Sequence, residues 1–407
     1  MKKLHVWPVL LAGMLCACGA QPAAQSAVTL PMTTDRPVVV DLPVDDAETT
    51  PEPTPATETT LTAADLTLTE KVGQLFIIRP DALDLTLPQE TIDDAKADGV
   101  TELTDAMRDT LQKYPVGGVC QFGKNIVSPE QITAFNAALQ DASEIPLFIS
   151  VDEEGGMIAR LANHEAFDLP QYESAAAVGA EGTDAAYAMG QTIGGYLCTY
   201  GFNMDFAPDA DVNTNPDNPI IGTRAFSSDA AEAADCAVAM AKGLVGQGIL
   251  PTFKHFPGHG DTAEDSHTGL AYSYRTVDEL AACELLPFAA AAEAGPHAVM
   301  VGHIVVPELT GDLPATLSAD AVALVPDAEN TLIVTDSLAM GAITDSYTPG
   351  EAAVLALQAG CDVLLMPDGL ADAYDAVLDA VQNGTLSEER LDVSVNKILR
   401  MKAQFCA

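Results

Sequence analysis

From about residue 61 onward, short apolar runs alternate with longer, alanine-rich segments whose apolar positions recur at helical spacing. Eight runs have the length and composition of buried strands: Leu75–Ile78, Gly118–Phe122, Pro146–Val151, Gly201–Phe206, Leu250–Phe253, Ala298–Val301, Leu332–Val334 and Asp362–Met366. Helical patterns lie between them, over Pro129–Gln140, Asp229–Gly246, Val277–Ala294, Glu351–Ala359 and Ala371–Gln382. Thr67-Leu68-Thr69-Glu70 predicts a helix start, with Thr67 or Thr69 as its cap. Strands separated by helices imply a parallel sheet. Eight such units in ~330 residues predict an α/β fold, a single (β/α)8 barrel of the TIM type. A doubly wound open sheet is the alternative, but no G-x-G-x-x-G follows the first run to support it.

The placement of polar residues favours the barrel. Asp152 and Glu154 follow the third run, and Asp205, Asp209 and Asp211 end the fourth. Lys254 and His255 end the fifth, His303 the sixth and Asp336 the seventh. A barrel gathers all these strand ends on one face, where active sites lie. Any one such residue could cap a helix or sit in a solvated loop. A whole set of them at the same end of successive strands argues for chemistry.

Residues 254–269, KHFPGHGDTAEDSHTG, bring one lysine, three histidines and three acids into a glycine-broken segment. Asp265, two residues before His267, can orient the ring and stabilise its cation, giving a general acid/base near neutral pH. A plain surface histidine is the alternative. Asp336 stands among apolar neighbours in Thr335-Asp336-Ser337, where it can attack an electrophilic carbon or cap a following helix. Lys254 and Arg224 can hold sugar hydroxyls or pair with acids. Asp152-Glu153-Glu154-Gly155-Gly156 joins acids to a glycine turn that admits a ligand closely. His255 and His259 are four apart, but Pro257, Gly258 and Gly260 exclude the helix that would align them on one metal-binding face. With no H-E-x-x-H, a metallohydrolase barrel is the second enzyme reading.

The chain has 407 residues and 48% hydrophobic content, enough for one large core. Its 59 acids against 18 Lys and Arg give a formal charge of −41, which argues against nucleic acid or an anionic membrane surface as partner. None of the eight cysteines has C-x-x-C spacing, so no zinc site is expected. Cys120 and Cys361 fall in apolar runs and are expected in the core. Lys2 and Lys3 precede an apolar stretch, Leu4–Leu15, that is too short to span a membrane. Leu15-Cys16-Ala17-Cys18 then resembles a bacterial lipobox, with cleavage before Cys18 and lipid on its thiol. A secretory signal cut near Ala20 is the alternative. Residues 1–17 are thus expected to be a signal peptide. Residues 18–60, rich in Thr, Pro and acids and without apolar periodicity, are expected to be a disordered tether. Residues 61–407 are the expected barrel domain, a monomer held by its lipid at the outer face of the cell membrane.

Five stretches resemble glycoside hydrolase family 3, in its β-N-acetylglucosaminidase branch. They are Asp152-Glu153-Glu154-Gly155-Gly156 with Arg160, residues 218–226 (NPIIGTRAF), the 254–269 segment, Gly302-His303, and Thr335-Asp336-Ser337-Leu338-Ala339-Met340. They run in the family's order over roughly residues 65–402. The resemblance implies Asp336 as nucleophile and His267 as general acid/base, with Asp265 as its partner. It implies that Asp152, Arg160, Arg224, Lys254, His255 and Met340 hold a terminal N-acetylglucosamine, with Asp152 on its hydroxyls. The expected activity is retaining, exo-acting hydrolysis of terminal β-GlcNAc, for example from GlcNAc-MurNAc fragments of peptidoglycan. No metal or organic cofactor is implied. Phosphorolysis of the same glycosides and a catalytically silent sugar-binding lipoprotein are the alternatives.

Overall fold

The computed structural model describes residues 61–263 and 269–406. The expected signal peptide, Cys18, the tether, Asp265 and His267 lie outside the described residues.

Eight parallel strands form one sheet: β1 Phe76–Ile78, β2 Gly118–Cys120, β3 Phe148–Val151, β4 Met204–Asp205, β5 Leu250–Phe256, β6 Ala298–Val301, β7 Leu332–Thr335 and β8 Leu364–Leu365. The order is β7-β6-β5-β4-β3-β2-β1-β8, so every strand pairs with its sequence neighbours. β8 pairs with β1 at Phe76↔Leu364 and Ile77↔Leu365, and a parallel bridge, Val334↔Val363, carries the ring on towards β7. The result is a nearly closed (β/α)8 barrel. Each strand falls on one of the eight apolar runs. Such strands are covered on both faces, by the barrel interior and by the surrounding helices, which is why they are apolar without alternation. Phe76, Phe148, Phe206 and Phe253 are all fully buried in the core they form.

The helices follow local signals where those are strong. Thr67 caps Leu68–Gln74 in a capping box with Glu70. Pro129–Asp141, Ala230–Val245, Pro349–Ala359 and Leu370–Gln382 lie within one or two residues of the predicted patterns. The expected helix over 277–294 is instead three pieces, Val277–Ala282, Leu286–Ala290 and a 3-10 turn at Ala291–Ala294. Pro287 lacks an N–H to continue the first piece and suits the first turn of the second. The fourth run was expected to be strand from Gly201, but Gly201 turns at φ +81° and β4 starts at Met204.

Thr183–Thr199 is a long helix that hydrophobic spacing does not announce, because glycines interrupt it. It packs on Ala230–Val245 at backbone distance. A Cβ on Gly190 would stand 2.0 Å from the Met240 carbonyl oxygen, and one on Gly243 would stand 2.5 Å from that of Tyr187. The C-terminal helix, Glu388–Phe405, seals the barrel at its N-terminal end. Asp362, just ahead of β8, accepts hydrogen bonds there from Ser394 Oγ (2.5 Å), Lys397 Nζ (2.7 Å) and the amide of Ile333 in β7 (3.0 Å). Among the described residues no helix is long and apolar enough to cross a membrane, and all six cysteines are free, with Cys120 and Cys361 in the core.

Candidate functional site

A cavity of about 210 Å³ opens at the C-terminal mouth of the barrel. It is lined by residues from the ends of β1 to β8. Of the residues singled out in the sequence, Asp152, Glu154, Arg160, Arg224, Lys254, His255, His259, Asp336 and Met340 share its wall.

The β3 end supplies two acids through a tight hairpin, Glu153–Gly155 against Ile158–Ala159. Gly155 and Gly156 turn it at φ +83° and +60°, backbone that favours glycine. Asp152 and Glu154 line the cavity, while Glu153 points away and is fully buried. Its carboxylate accepts from the amides of Arg160 (2.6 Å), Leu161 and Ala162 (2.9 Å each), and from Tyr196 Oη at 2.8 Å. That fixes the returning strand, so that Arg160 comes back beside Asp152, 3.5 Å away.

β5 runs further than its apolar stretch, to Phe256, and carries Lys254 and His255 in the irregularity of its pairing with β6 between Phe253 and Phe256. The Lys254–His255 peptide is cis, and both side chains reach the cavity. Lys254 Nζ, 3% exposed, lies 2.8 Å from Asp152 Oδ1 and 2.7 Å from Glu154 Oε1. Arg224, in the turn Gly222–Arg224, donates through Nε and Nη2 to the two oxygens of Glu154 at 2.8 and 2.7 Å. Two buried cations thus share one buried carboxylate. Burial alone would raise both acids. Arg224 and Lys254 hold Glu154 far below its usual range, and Lys254 and Arg160 hold Asp152 below its own.

The β4 end supplies Asp209 and Asp211. His255 Nδ1 lies 2.8 Å from Asp211 Oδ2, and Arg224 Nη2 lies 3.5 Å from His255 Nε2. A guanidinium only donates, so Nε2 accepts and Nδ1 carries the hydrogen to Asp211. This neutral tautomer agrees with a His255 pKa pushed down to about 4, by burial and then by Arg224. Burial and then Asp211 push Asp209 up to about 7. Asp209, Asp211 and His255 hold potential ligand atoms within 4.8 Å of one another. Those of Asp211 and His255 are already bonded to each other, and Asp209 Oδ2 faces Arg224 Nε at 3.4 Å.

Asp336 follows β7. Its Oδ1 accepts from the amide of Ser337 at 2.7 Å, and its own amide is held by the carbonyl of Val301 in β6. It caps no helix, since the next one begins at Gly341. His303 stands behind the wall rather than in it, fully buried. Its Nε2 meets the Ser337 carbonyl at 2.8 Å and its Nδ1 meets Thr316 Oγ1 at 2.8 Å. Nε2–H must donate to that carbonyl, while Thr316 Oγ1 also lies 2.8 Å from the Gly302 carbonyl, to which it donates. His303 therefore clamps the peptide that follows Asp336. Asp205 also lies outside the cavity, buried, with Oδ1 accepting the Glu153 amide at 3.0 Å.

Arg79 and Phe122 also line the wall and were not singled out as site residues by sequence reasoning. The signal existed. Arg79 directly follows β1 and Phe122 comes two residues after β2, positions subject to the same strand-end rule that found Asp152 and Asp336.

Fold and cavity together define a (β/α)8-barrel protein with an ionisable pocket at the C-terminal face of its sheet. The family model described as "Glycosyl hydrolase family 3 N terminal domain" matches residues 67–401, and the chain belongs to glycosyl hydrolase family 3. It is 32% identical over 335 residues to Beta-hexosaminidase A of Pseudoalteromonas piscicida, covering 75% of this chain and 56% of that protein. It is 34% identical over 334 residues to Beta-hexosaminidase LpqI of Mycobacterium tuberculosis, covering 78% of this chain and 83% of that one. Among solved structures, a glycoside hydrolase family 3 β-N-acetylglucosaminidase from Paenibacillus sp. str. FPU-7 superposes with a TM-score of 0.75 at 37% identity, over 83% of this chain and 62% of that one. The chain therefore spans less than two thirds of the first and third of these relatives.

Proposed function

We propose that this chain is an exo-acting, retaining β-N-acetylglucosaminidase. The observation that carries the reading is the Asp336 carboxylate, set at the end of β7 in the same cavity as the Asp152–Lys254–Glu154–Arg224 network. The names of the relatives support the substrate class.

In this reading the terminal sugar sits against Asp152, Arg160, Arg224, Lys254, His255 and Met340. The charged groups around it are locked in place by bonds to one another, so hydroxyls meet donors and acceptors that do not reorganise. Asp336 attacks the anomeric carbon and the bond to the leaving oxygen breaks, giving a glycosyl ester on the carboxylate. His267, oriented by Asp265, gives its proton to the leaving oxygen. It then takes a proton from the water that attacks the same carbon and releases Asp336. Two displacements retain configuration. A glycine-broken loop suits an acid/base that must approach and withdraw.

Fragments carrying a terminal GlcNAc-MurNAc linkage are the proposed natural substrates. The Lys2-Lys3 start, the short apolar stretch and the motif ending at Cys18 support a lipid-anchored protein working at the outer face of the cell membrane.

The test is release of p-nitrophenol from p-nitrophenyl β-N-acetylglucosaminide, with and without phosphate. Release without phosphate is expected. Release that requires phosphate and yields GlcNAc-1-phosphate would replace hydrolysis by phosphorolysis. No release in either condition would overturn the reading.

A further inference from the structure

The segment that carries Asp265 and His267 is anchored at both ends, on different parts of the barrel. At its near end the loop after β4 holds the backbone. The Asn215 amide donates to the Gly260 carbonyl at 3.1 Å and Asn215 Nδ2 to that of Thr262 at 3.0 Å. Asn218 Nδ2 donates to the His259 carbonyl at 2.8 Å. At the far end, Ala271–Tyr272 pairs with Ile304–Val305, directly after His303.

Arg275, three residues past the far pairing, reaches back to the near end. Its Nη2 lies 3.2 Å from Asp261 Oδ1 and 3.4 Å from Glu284 Oε1. Thr214 Oγ1, from the loop after β4, lies 3.4 Å from each of the same two oxygens. Two carboxylates therefore share one hydroxyl and one guanidinium nitrogen. Without the cation they would repel each other. Ion pairs between exposed side chains contribute little, but this one has a buried member. Asp261 and Arg275 are 27% and 30% exposed, whereas Glu284 is fully buried. Gly258 rests on Glu284, since a Cβ there would stand 2.5 Å from the Glu284 Cβ. Burial pushes Glu284 up, Asp261 adds to the rise and Arg275 opposes it. Arg275 Nε and Glu284 Oε2 are buried without a hydrogen-bond partner among the described residues, so the bridge runs through a single nitrogen.

We propose that Arg275 is a positioning residue: by bridging Asp261 and Glu284 it fixes the spacing between the two ends of the segment that carries His267. The proposal rests on the glycosidase reading. Arg275 does not line the cavity, so it acts through the acid/base and not on the sugar. General acid–base catalysis contributes about a hundredfold to ten-thousandfold, and much of it is lost when the proton donor stands about an ångström out of place.

The experiment compares kcat/KM on phenyl and dinitrophenyl β-N-acetylglucosaminides, for wild type and Arg275→Gln. Phenolate needs a proton as it leaves and dinitrophenolate does not. A displaced acid/base therefore lowers kcat/KM for the phenyl glycoside selectively. A fall of about tenfold to a hundredfold is expected there, with less than about a twofold change on the dinitrophenyl glycoside. Arg275→Lys, which keeps a point charge between the two acids, is expected to restore most of the loss. Equal falls on both glycosides mean a merely structural role and overturn the proposal, as does no fall on either. If circular dichroism shows that Arg275→Gln does not fold, Asp261→Asn breaks the same bridge from its exposed side and is read by the same split. The glycosidase reading fails separately: wild-type protein would then cleave neither glycoside.

Discussion

Arg224 forks onto Glu154, its Nε and Nη2 meeting the two carboxylate oxygens at 2.8 and 2.7 Å, while Lys254 takes one of those oxygens from the other side at 2.7 Å. Glu154 is 3% exposed and is the common counter-charge of two buried cations. Glu154→Ala would leave both without it, and removing one partner of a buried ion pair costs about 3–5 kcal/mol. A fall in thermal midpoint of several degrees is expected by circular dichroism, together with lost sugar affinity. An unchanged midpoint would mean that the two cations find water or other acids, and that Glu154 is not the keystone of the network.

Asp336→Asn keeps the shape of the proposed nucleophile and removes its charge. The expected result is a fall in kcat of at least about a thousandfold on p-nitrophenyl β-N-acetylglucosaminide, with inhibitor affinity changed only severalfold. Turnover at the wild-type rate would show that another group attacks the anomeric carbon.

Asp209 titrates near pH 7 in the folded protein, against 3.8 ordinarily, because it is buried beside Asp211. Between those values the folded state binds more protons than the unfolded chain. Its contribution to stability is therefore complete below 3.8 and is lost as pH rises through about 7. His255, held at about 4 instead of 6.5, acts in the opposite sense: its contribution is complete above 6.5 and is lost as pH falls through about 4. Asp209→Asn removes the first effect and, since Asp209 raises His255, leaves His255 lower still, outside the range from about pH 5 to about pH 8. The midpoint of Asp209→Asn minus that of wild type should therefore become more positive from about pH 5 to about pH 8, by the equivalent of a few kcal/mol at most. A difference that stays flat across pH would show that Asp209 is ionised throughout, with Arg224 supplying the counter-charge.

The boundary between tether and barrel is open to limited proteolysis. Brief digestion of the full chain should leave a stable fragment beginning near residue 60, identified by mass spectrometry. Early cuts within 61–263 instead would sink that boundary.

Much of the fold was legible because its signals are local. Eight apolar runs became eight strands, since a parallel strand covered on both faces has to be apolar along its whole length. Thr67-x-x-Glu70 became a capping box because Thr67 and Glu70 each bond the other across one turn. The helix Thr183–Thr199 was not legible, because the reason for its glycines lies in another helix, at Met240. Nor was the break at 283–286 expected within a segment whose apolar spacing runs on past it.

By itself the sequence determined the strand count, the parallel order and the chemical types that stand at the strand ends, since these depend on neighbours within a few positions along the chain. Only the tertiary structure decided which of those end residues meet. Asp152, Asp336 and Lys254 share one cavity, while His303 and Asp205 turn behind its wall, although all five obey the same positional rule. Arg79 and Phe122 joined the site for the same reason. Closure of the barrel carries residues far apart in the chain to one mouth, and the rotation of each side chain there is set by the partners it finds across the ring.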